Sequence, residues 1–311
     1  MPRRIDIPVP DLSGRRALIT GGSDGIGLVL ATRLAGAGAE VLLPVRDRAK
    51  GEAAVARIRE RHPAARVILH DLDLADLSSV AALAAQLTAD GAPLHMLVAN
   101  AGVMTPPARR VTADGFELQF GTNHLGHFAL IGRLLPLLRA GSARVVSQVS
   151  IAADQGAVNW DDLKWERRYN AMRAYSSSKI ALGLFGLELD RRSIAGGWGI
   201  ASDLAHPGVA PTSLLAARTA TGRSRDGFDV RLIRLLSRLG ILVGTIETAS
   251  LPALLAATSD APGGRLYGPS GPGRLGGPPA VQQPNARISD PEDAARMWAV
   301  SEDLTGVRFP A

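Results

Sequence analysis

RALITGGSDGIGLVLATRLAGA, residues 16–37, packs three kinds of local structure into one short run. Residues 16–20 are apolar and of strand length. Gly21, Gly22, Gly25 and Gly27 follow at once, and from Ile26 onward apolar residues recur at helical spacing to Ala37. A strand feeding a glycine turn and then a helix N-terminus presents free backbone N–H groups and the positive end of a helix dipole to an anion such as a pyrophosphate. The strict Gly-x-Gly-x-x-Gly spacing is absent. Taken alone, the stretch fits a phosphate cradle or a glycine turn that merely lets a helix pack closely on a sheet.

Outward from this unit the same rhythm repeats. A second strand, residues 40–45, ends at Arg46, and Asp47 starts the helix of residues 48–61, where an acid near the N-terminus is favourable. An acid at that strand end suits an unphosphorylated ribose, whereas positive charge suits a 2'-phosphate; Arg46 tilts the choice toward NADP over NAD. A third strand, 65–70, leads to Asp71, Leu72, Asp73 and Leu74, which can curl round an adenine or form an ordinary turn. Helix 78–88 precedes strand 94–98, which runs into Asn100, Ala101 and Gly102. Strands alternating with helices in this way predict an α/β fold, a doubly wound parallel sheet with helices on both faces.

Residues 116–138 read as a long helix interrupted around 123–126. Asn123 is costly there unless its amide is satisfied, by neighbouring backbone or by holding a water on a proton path to Lys179. His124 and His127 lack the further ligands a metal needs. The strand of residues 144–149 ends at Ser150, a hydroxyl beside the cleft where such sheets bind ligands. Residues 152–173 form a polar insertion carrying Trp160, Trp165 and Tyr169. A helix to about Arg192, a strand over 199–206 and the turn Pro207-Gly208 follow. Residues 212–240, broken by Gly222 and Gly227, suit a lid. Residues 245–257 are expected as helix, 263–268 hold a last short strand, 269–279 are loop and 291–300 a terminal helix. The expected organisation is one domain over 1–311, with the 152–173 insertion on the substrate side, the 212–240 lid and a C-terminal extension over 263–311.

Within the helix after the insertion, Tyr175 and Lys179 stand four residues apart and therefore share a face. An ammonium held near a phenol favours phenolate and eases proton exchange with a substrate oxygen.

Composition narrows the alternatives. The chain has 311 residues, 46% of them hydrophobic, and no cysteine, which excludes thiolate zinc sites, disulfides and thiol nucleophiles. The net charge is +6 and the pI about 10.4. Apart from Lys50, Lys164 and Lys179 the positive charge is arginine, scattered rather than gathered into an aromatic-studded stripe, which argues against nucleic acid as partner. No run is long and apolar enough for a signal peptide or a membrane span, so a cytoplasmic location is expected.

The motifs together resemble the classical short-chain dehydrogenase/reductase family, within it the subgroup related to retinol dehydrogenases and light-dependent protochlorophyllide reductase, bacterial type. Residues 20–27, TGGSDGIG, look like the family's Thr-Gly-x-x-x-Gly-x-Gly; Asn100-Ala101-Gly102 resembles its Asn-Ala-Gly; Tyr175 and Lys179 match Tyr-x-x-x-Lys. Ser150 resembles its catalytic serine, although Val149 stands where a second serine is common. The insertion residues Asp161 to Trp165 and the tail segments 266–269 and 301–306 also look like this subgroup. The resemblance implies a Rossmann-type fold and catalysis by Asn123, Ser150, Tyr175 and Lys179. It implies cofactor contacts from Gly21, Ser23, Asp24, Gly25, Ile26, Gly27, Arg46, Asp73, Leu74, Asn100, Ala101, Gly102, Tyr175, Lys179, Pro207, Gly208, Val209 and Thr212.

The resulting expectation is an NADP-dependent oxidoreductase acting on a medium or bulky hydrophobic alcohol or carbonyl compound, with pocket walls from residues 104–110, 152–169 and the lid. The resemblance also implies a homodimer or homotetramer. Two rivals stand beside it: a C=C reductase of the same fold, against whose light-driven form the lack of cysteine argues, and an NADP-binding sensor or scaffold without turnover.

Overall fold

The computed structural model describes residues 5–211, 237 and 243–310. Thr212 and, apart from Ser237, the expected lid over 212–240 lie outside the described residues. Among the described residues the strands are β1 (Arg16–Ile19), β2 (Glu40–Val45), β3 (Val67–Asp71), β4 (Met96–Ala99), β5 (Arg144–Gln148), β6 (Ala201–Ala205), β7 (Leu266–Pro269) and β8 (Pro279–Gln282). They form one sheet in the order β3-β2-β1-β4-β5-β6-β7-β8. Every neighbouring pair is parallel except β7 with β8.

Helices cover both faces, which is why β1 and β4 are buried along their whole length and, after the ion-paired Arg16, read as continuous apolar runs rather than alternating ones. On one face, α1 (Gly25–Gly36), α2 (Arg48–Arg61) and α6 (Ile246–Ala257) bury Leu30, Leu34, Ile58 and Leu254 against Val41 and Val98. On the other, α3 (Leu77–Asp90), α4 (Gly126–Ala140) and α5 (Ala171–Gly196) bury Leu83, Phe128, Leu134 and Phe185 against Leu18 and Leu97. Burial of one such side chain contributes about 1.5–3 kcal/mol. The terminal helix α7 (Pro291–Thr305) is pinned to this face by aromatic rings: Trp298 lies 5.5 Å from Phe185 and 4.5 Å from Phe309. No helix among the described residues is long and apolar enough to cross a membrane.

The sequence reading needs correction in three places. Residues 269–279 were expected as loop, but Pro279 opens β8, an edge strand where a residue without an N–H is tolerated; its four-residue length and opening proline hid it. The terminal helix runs past residue 300 to Thr305, where Gly306 ends it in the left-handed conformation. The Tyr175 helix also extends beyond Arg192, to Gly196, and Gly197 closes it in the same way.

The interruption expected around residues 123–126 is a π-helical turn, Gly121–Leu125, in which Gly126 N–H bonds back to Gly121 C=O. It follows the single turn Leu118–Phe120 and runs straight into α4. Glycine at 126 is required by packing, because a Cβ there would meet the Leu74 carbonyl oxygen at 2.4 Å.

Candidate active site

Successive strands are added outward in opposite directions from β1 and β4, which makes this the switch point at which doubly wound sheets open a crevice beyond the strand ends. A cavity of about 490 Å³ lies there, lined by the glycine turn, the segments after β4 and β5, the start of α5 and the turn after β6. Among its walls are the expected Gly21, Ser23, Asp24, Gly25, Ile26 and Gly27, then Asn100, Ala101 and Gly102, then Ser150, Tyr175, Lys179, Pro207, Gly208 and Val209. Gly21 and Gly208, 187 positions apart in sequence, thus share one cleft.

The glycine turn is shaped by backbone demands. Gly21 has φ of +66°, and a Cβ on Gly27 would stand 2.2 Å from the Gly21 carbonyl oxygen, so the first turn of α1 lies directly against the loop. Asp24 caps the helix, accepting from Gly25 N at 2.7 Å. Asn100 fixes the loop from the neighbouring strand: its Nδ2 donates to Thr20 O at 2.9 Å and Gly21 O at 3.3 Å. Thr20 Oγ1 in turn accepts from the N–H groups of Asn100 and Ala101, each at 3.0 Å.

Tyr175 and Lys179 come from the second and third turns of α5, where Asn170 caps the helix by accepting from Arg173 N. Both are almost fully buried. The Tyr175 hydroxyl shares a hydrogen bond with Ser150, which draws its pKa down, while burial pushes it up more strongly. Lys179 Nζ donates to the Gln148 carbonyl at 2.8 Å, and burial lowers its pKa to about 8. This qualifies the expectation that Lys179 makes phenolate easy: within the protein alone, desolvation disfavours charge on both groups. Ser150 follows β5, and its Oγ also accepts from Ala152 N at 3.2 Å, capping the 3-10 turn Ile151–Asp154.

Asn123 sits in the π turn. Its Oδ1 accepts from Val103 N at 2.8 Å; its Nδ2 donates to Val103 O at 3.0 Å and to Ser178 Oγ at 2.9 Å. The amide therefore fastens the segment after β4 to α5, one residue from Lys179. A Cβ built on Gly102 would lie 3.1 Å from Asn123 Oδ1 and 3.6 Å from Lys179 Nζ, which places both groups around this glycine.

Three expected cofactor residues stand apart from the cavity walls. Arg46 is exposed at the end of β2. Asp73 receives Ala75 N at 2.9 Å in the turn after β3, and Leu74 is buried against Gly126. The aromatic side chains of the insertion also do not line the cavity. Trp165 is buried, Trp160 lies under the Arg296 guanidinium at 4.2 Å, and Tyr169 donates to Pro106 O at 3.2 Å. They bind the insertion to the body, as an irregular polar segment needs such anchors to stay folded. The apolar walls are instead Met104, Val149, Ile151, Ala152, Met172 and Ala210.

Sequence reasoning overlooked Gln148, the last residue of β5 and two positions before Ser150; period-two alternation could have found it. It is 5% exposed, lines the cavity, and neither end of its amide has a hydrogen-bond partner in the protein.

The pattern of the family described as short chain dehydrogenase matches residues 15–222. The chain belongs to the short chain dehydrogenase family. Its membership makes it an oxidoreductase. Retinol dehydrogenase 13 of Homo sapiens is 36% identical over 312 aligned positions that cover 100% of this chain and 88% of that protein. Among solved structures, a protein of Mycobacterium Paratuberculosis superimposes with a TM-score of 0.78 at 36% identity over 97% of both chains. Pseudomonas aeruginosa RhlG, solved as an active-site complex with NADP, gives a TM-score of 0.63 at 27% identity, covering 84% of this short chain dehydrogenase and 96% of RhlG.

Proposed function

We propose that this short chain dehydrogenase uses NADP to interconvert a medium or bulky hydrophobic alcohol and its ketone or aldehyde, and that it belongs to the retinol dehydrogenase-like subgroup. The observation that carries the proposal is the convergence of Ser150, Tyr175 and Lys179 on one cavity floored by the glycine turn. The cleft fits the cofactor: the helix N-terminus and glycine backbone suit a pyrophosphate, and the unpartnered Gln148 amide adds polar capacity beside it. Arg46, exposed at the end of β2, is the residue we assign to a 2'-phosphate, because a guanidinium there would pair with it. RhlG in complex with NADP supports the same choice.

NADP bound there supplies or accepts the hydride. Ser150 holds the substrate oxygen, and Tyr175 donates the proton to that oxygen in reduction or removes it in oxidation. Lys179 positions ribose hydroxyls and carries the positive charge that favours proton loss from Tyr175. Asn123 supports the onward proton path by fixing the segments on either side of Lys179. Walls of Met104, Ile151 and Met172 favour an apolar substrate body, as the likeness to retinol dehydrogenase 13 also does.

The test is loss of reduced-nicotinamide absorbance with aldehydes, ketones, retinoids and quinones, run with NADPH and NADH in parallel. NADPH-preferring turnover of apolar carbonyl compounds is expected. Tight NADPH binding with no turnover in either direction overturns the proposal in favour of a cofactor-binding scaffold, and turnover confined to activated C=C bonds favours the ene-reductase.

A further inference from the structure

Two loops flank the cavity on its substrate and nicotinamide sides: the turn begun by Ser150 and the turn Pro207 to Ala210. No direct hydrogen bond between them is recorded among the described residues, yet a continuous chain of side chains joins them through the C-terminal extension. Asp154 ends the 3-10 turn whose N-cap is Ser150. Its carboxylate accepts from Arg274 Nη2 at 2.5 Å and Asn285 Nδ2 at 2.6 Å. Arg287 reinforces the turn by donating to Asp154 O at 3.0 Å and Gly156 O at 2.8 Å. Arg274 Nη1 reaches Gln282 Oε1 on β8 at 3.4 Å, and His206 Nε2 meets that same oxygen at 2.9 Å. Gly208 N–H then donates to His206 Nδ1 at 3.3 Å.

The partners fix the tautomer. Gln282 Nε2 donates to Pro269 O at 3.0 Å, so its Oε1 faces the donors; His206 therefore carries its proton on Nε2 and accepts at Nδ1. The imidazole is 3% exposed and closes the chain as a neutral group. A second tie runs beside it: Val209 N donates to Leu275 O at 2.8 Å, and a Cβ on Gly208 would stand 2.4 Å from that oxygen. The extension is thus seated directly against the turn.

We propose that Asp154 and His206 are positioning residues, coupled through Arg274 and Gln282, which make the C-terminal extension a strap holding Ser150 at a fixed separation from the turn at Pro207 to Ala210. The assignment rests on the proposed function for the roles of those two loops. Pairing of β5 with β6 fixes the roots of both loops, with Gln148 opposite Ala205 and Val149 N donating to Ala205 O at 2.8 Å, and the strap holds what lies beyond those strand ends; misplacement of reacting groups by about 1 Å can cost about 100-fold in rate.

The experiment compares wild type, Asp154→Asn, His206→Gln and the double variant in three measurements: amide hydrogen exchange, NADPH affinity by fluorescence, and steady-state kinetics. Hydrogen exchange needs no turnover, so it decides the strap even if no substrate is found. Asp154→Asn is expected to speed exchange at 207–210 as well as at 151–156, and His206→Gln to do the reverse. Each single variant is expected to lower kcat about 10-fold or more, with KM and the NADPH Kd within about threefold. The double variant is expected to be no worse than the poorer single one, because both break one chain. Exchange changes confined to the mutated loop, kcat losses that multiply, or altered exchange with unchanged kcat each overturn the strap. Absence of turnover by wild type overturns the proposed function alone.

Discussion

The Thr20 hydroxyl and the His127 Nε2 lie 2.9 Å apart in the closed interior, joining the residue that leads the glycine turn to the helix that follows the π turn. His127 Nδ1 donates to the Asn123 carbonyl at 3.0 Å, so its Nε2 is the acceptor and Thr20 the donor. One neutral imidazole thereby keeps the glycine turn and the Asn123 turn in register.

That neutrality has a pH consequence. Burial lowers His127 to about 4 and His124, which faces Ser301 at 2.7 Å, to about 3, against an ordinary value of 6.5. The unfolded chain takes up these protons first, so their contribution to stability is complete above pH 6.5 and is lost as pH falls toward 4 and 3. Two protons give a slope of up to about 2.7 kcal/mol per pH unit. Buried Glu117, Asp190 and Asp203, whose carboxyl pKa values burial raises, act in the opposite sense and reduce the net slope. Denaturant midpoints between pH 7 and 4.5 should fall steadily; a flat profile contradicts the buried neutral imidazoles.

Tyr175→Phe should reduce kcat by about 100-fold to 10,000-fold, the usual worth of a positioned proton donor. NADPH affinity should stay within a few-fold, since the ring is retained. Single-turnover absorbance and fluorescence titration separate the two effects, and retained turnover refutes the role of the phenol.

Lys179 with a pKa near 8 makes NADPH capture sensitive to alkali. The charged form predominates below pH 8, so kcat/KM for NADPH should be level at neutral pH and decline as pH rises through about 8. Lys179→Arg, whose guanidinium stays charged, should remove that decline even if the absolute rate is lower.

Gly27→Ala should abolish NADPH binding and lower the melting temperature, because its Cβ would press on backbone, the Gly21 carbonyl at 2.2 Å, rather than on a flexible side chain. Gly91→Ala provides the control: its φ of +69° carries strain, but no atom lies within 4 Å, so only stability should change.

Arg46→Asp should convert NADPH preference toward NADH. A carboxylate at the end of β2 repels a 2'-phosphate and can accept from ribose hydroxyls. Discrimination measured as the ratio of kcat/KM values should change at least about 10-fold; an unchanged ratio removes Arg46 from the cofactor site.

The parallel sheet with helices on both faces, and the local patterns of the glycine turn and of Tyr175 with Lys179, were legible in the chain because they depend on local chemistry. Glycines must follow β1 whatever packs later, and Tyr175 and Lys179 share a face by helical geometry alone. β8 was not legible: an edge strand four residues long, opened by Pro279, exists only because β7 offers it hydrogen bonds. The insertion aromatics misled, since an aromatic side chain has the same pattern whether it lines a cavity or anchors a loop. Only tertiary structure decided between those uses, placed Gln148 in the wall, and brought Asp154, Arg274, Gln282 and His206 into one hydrogen-bonded chain. Spacing along the chain fixes what neighbours within one element can share, whereas contacts between elements over a hundred residues apart depend on how the finished layers pack.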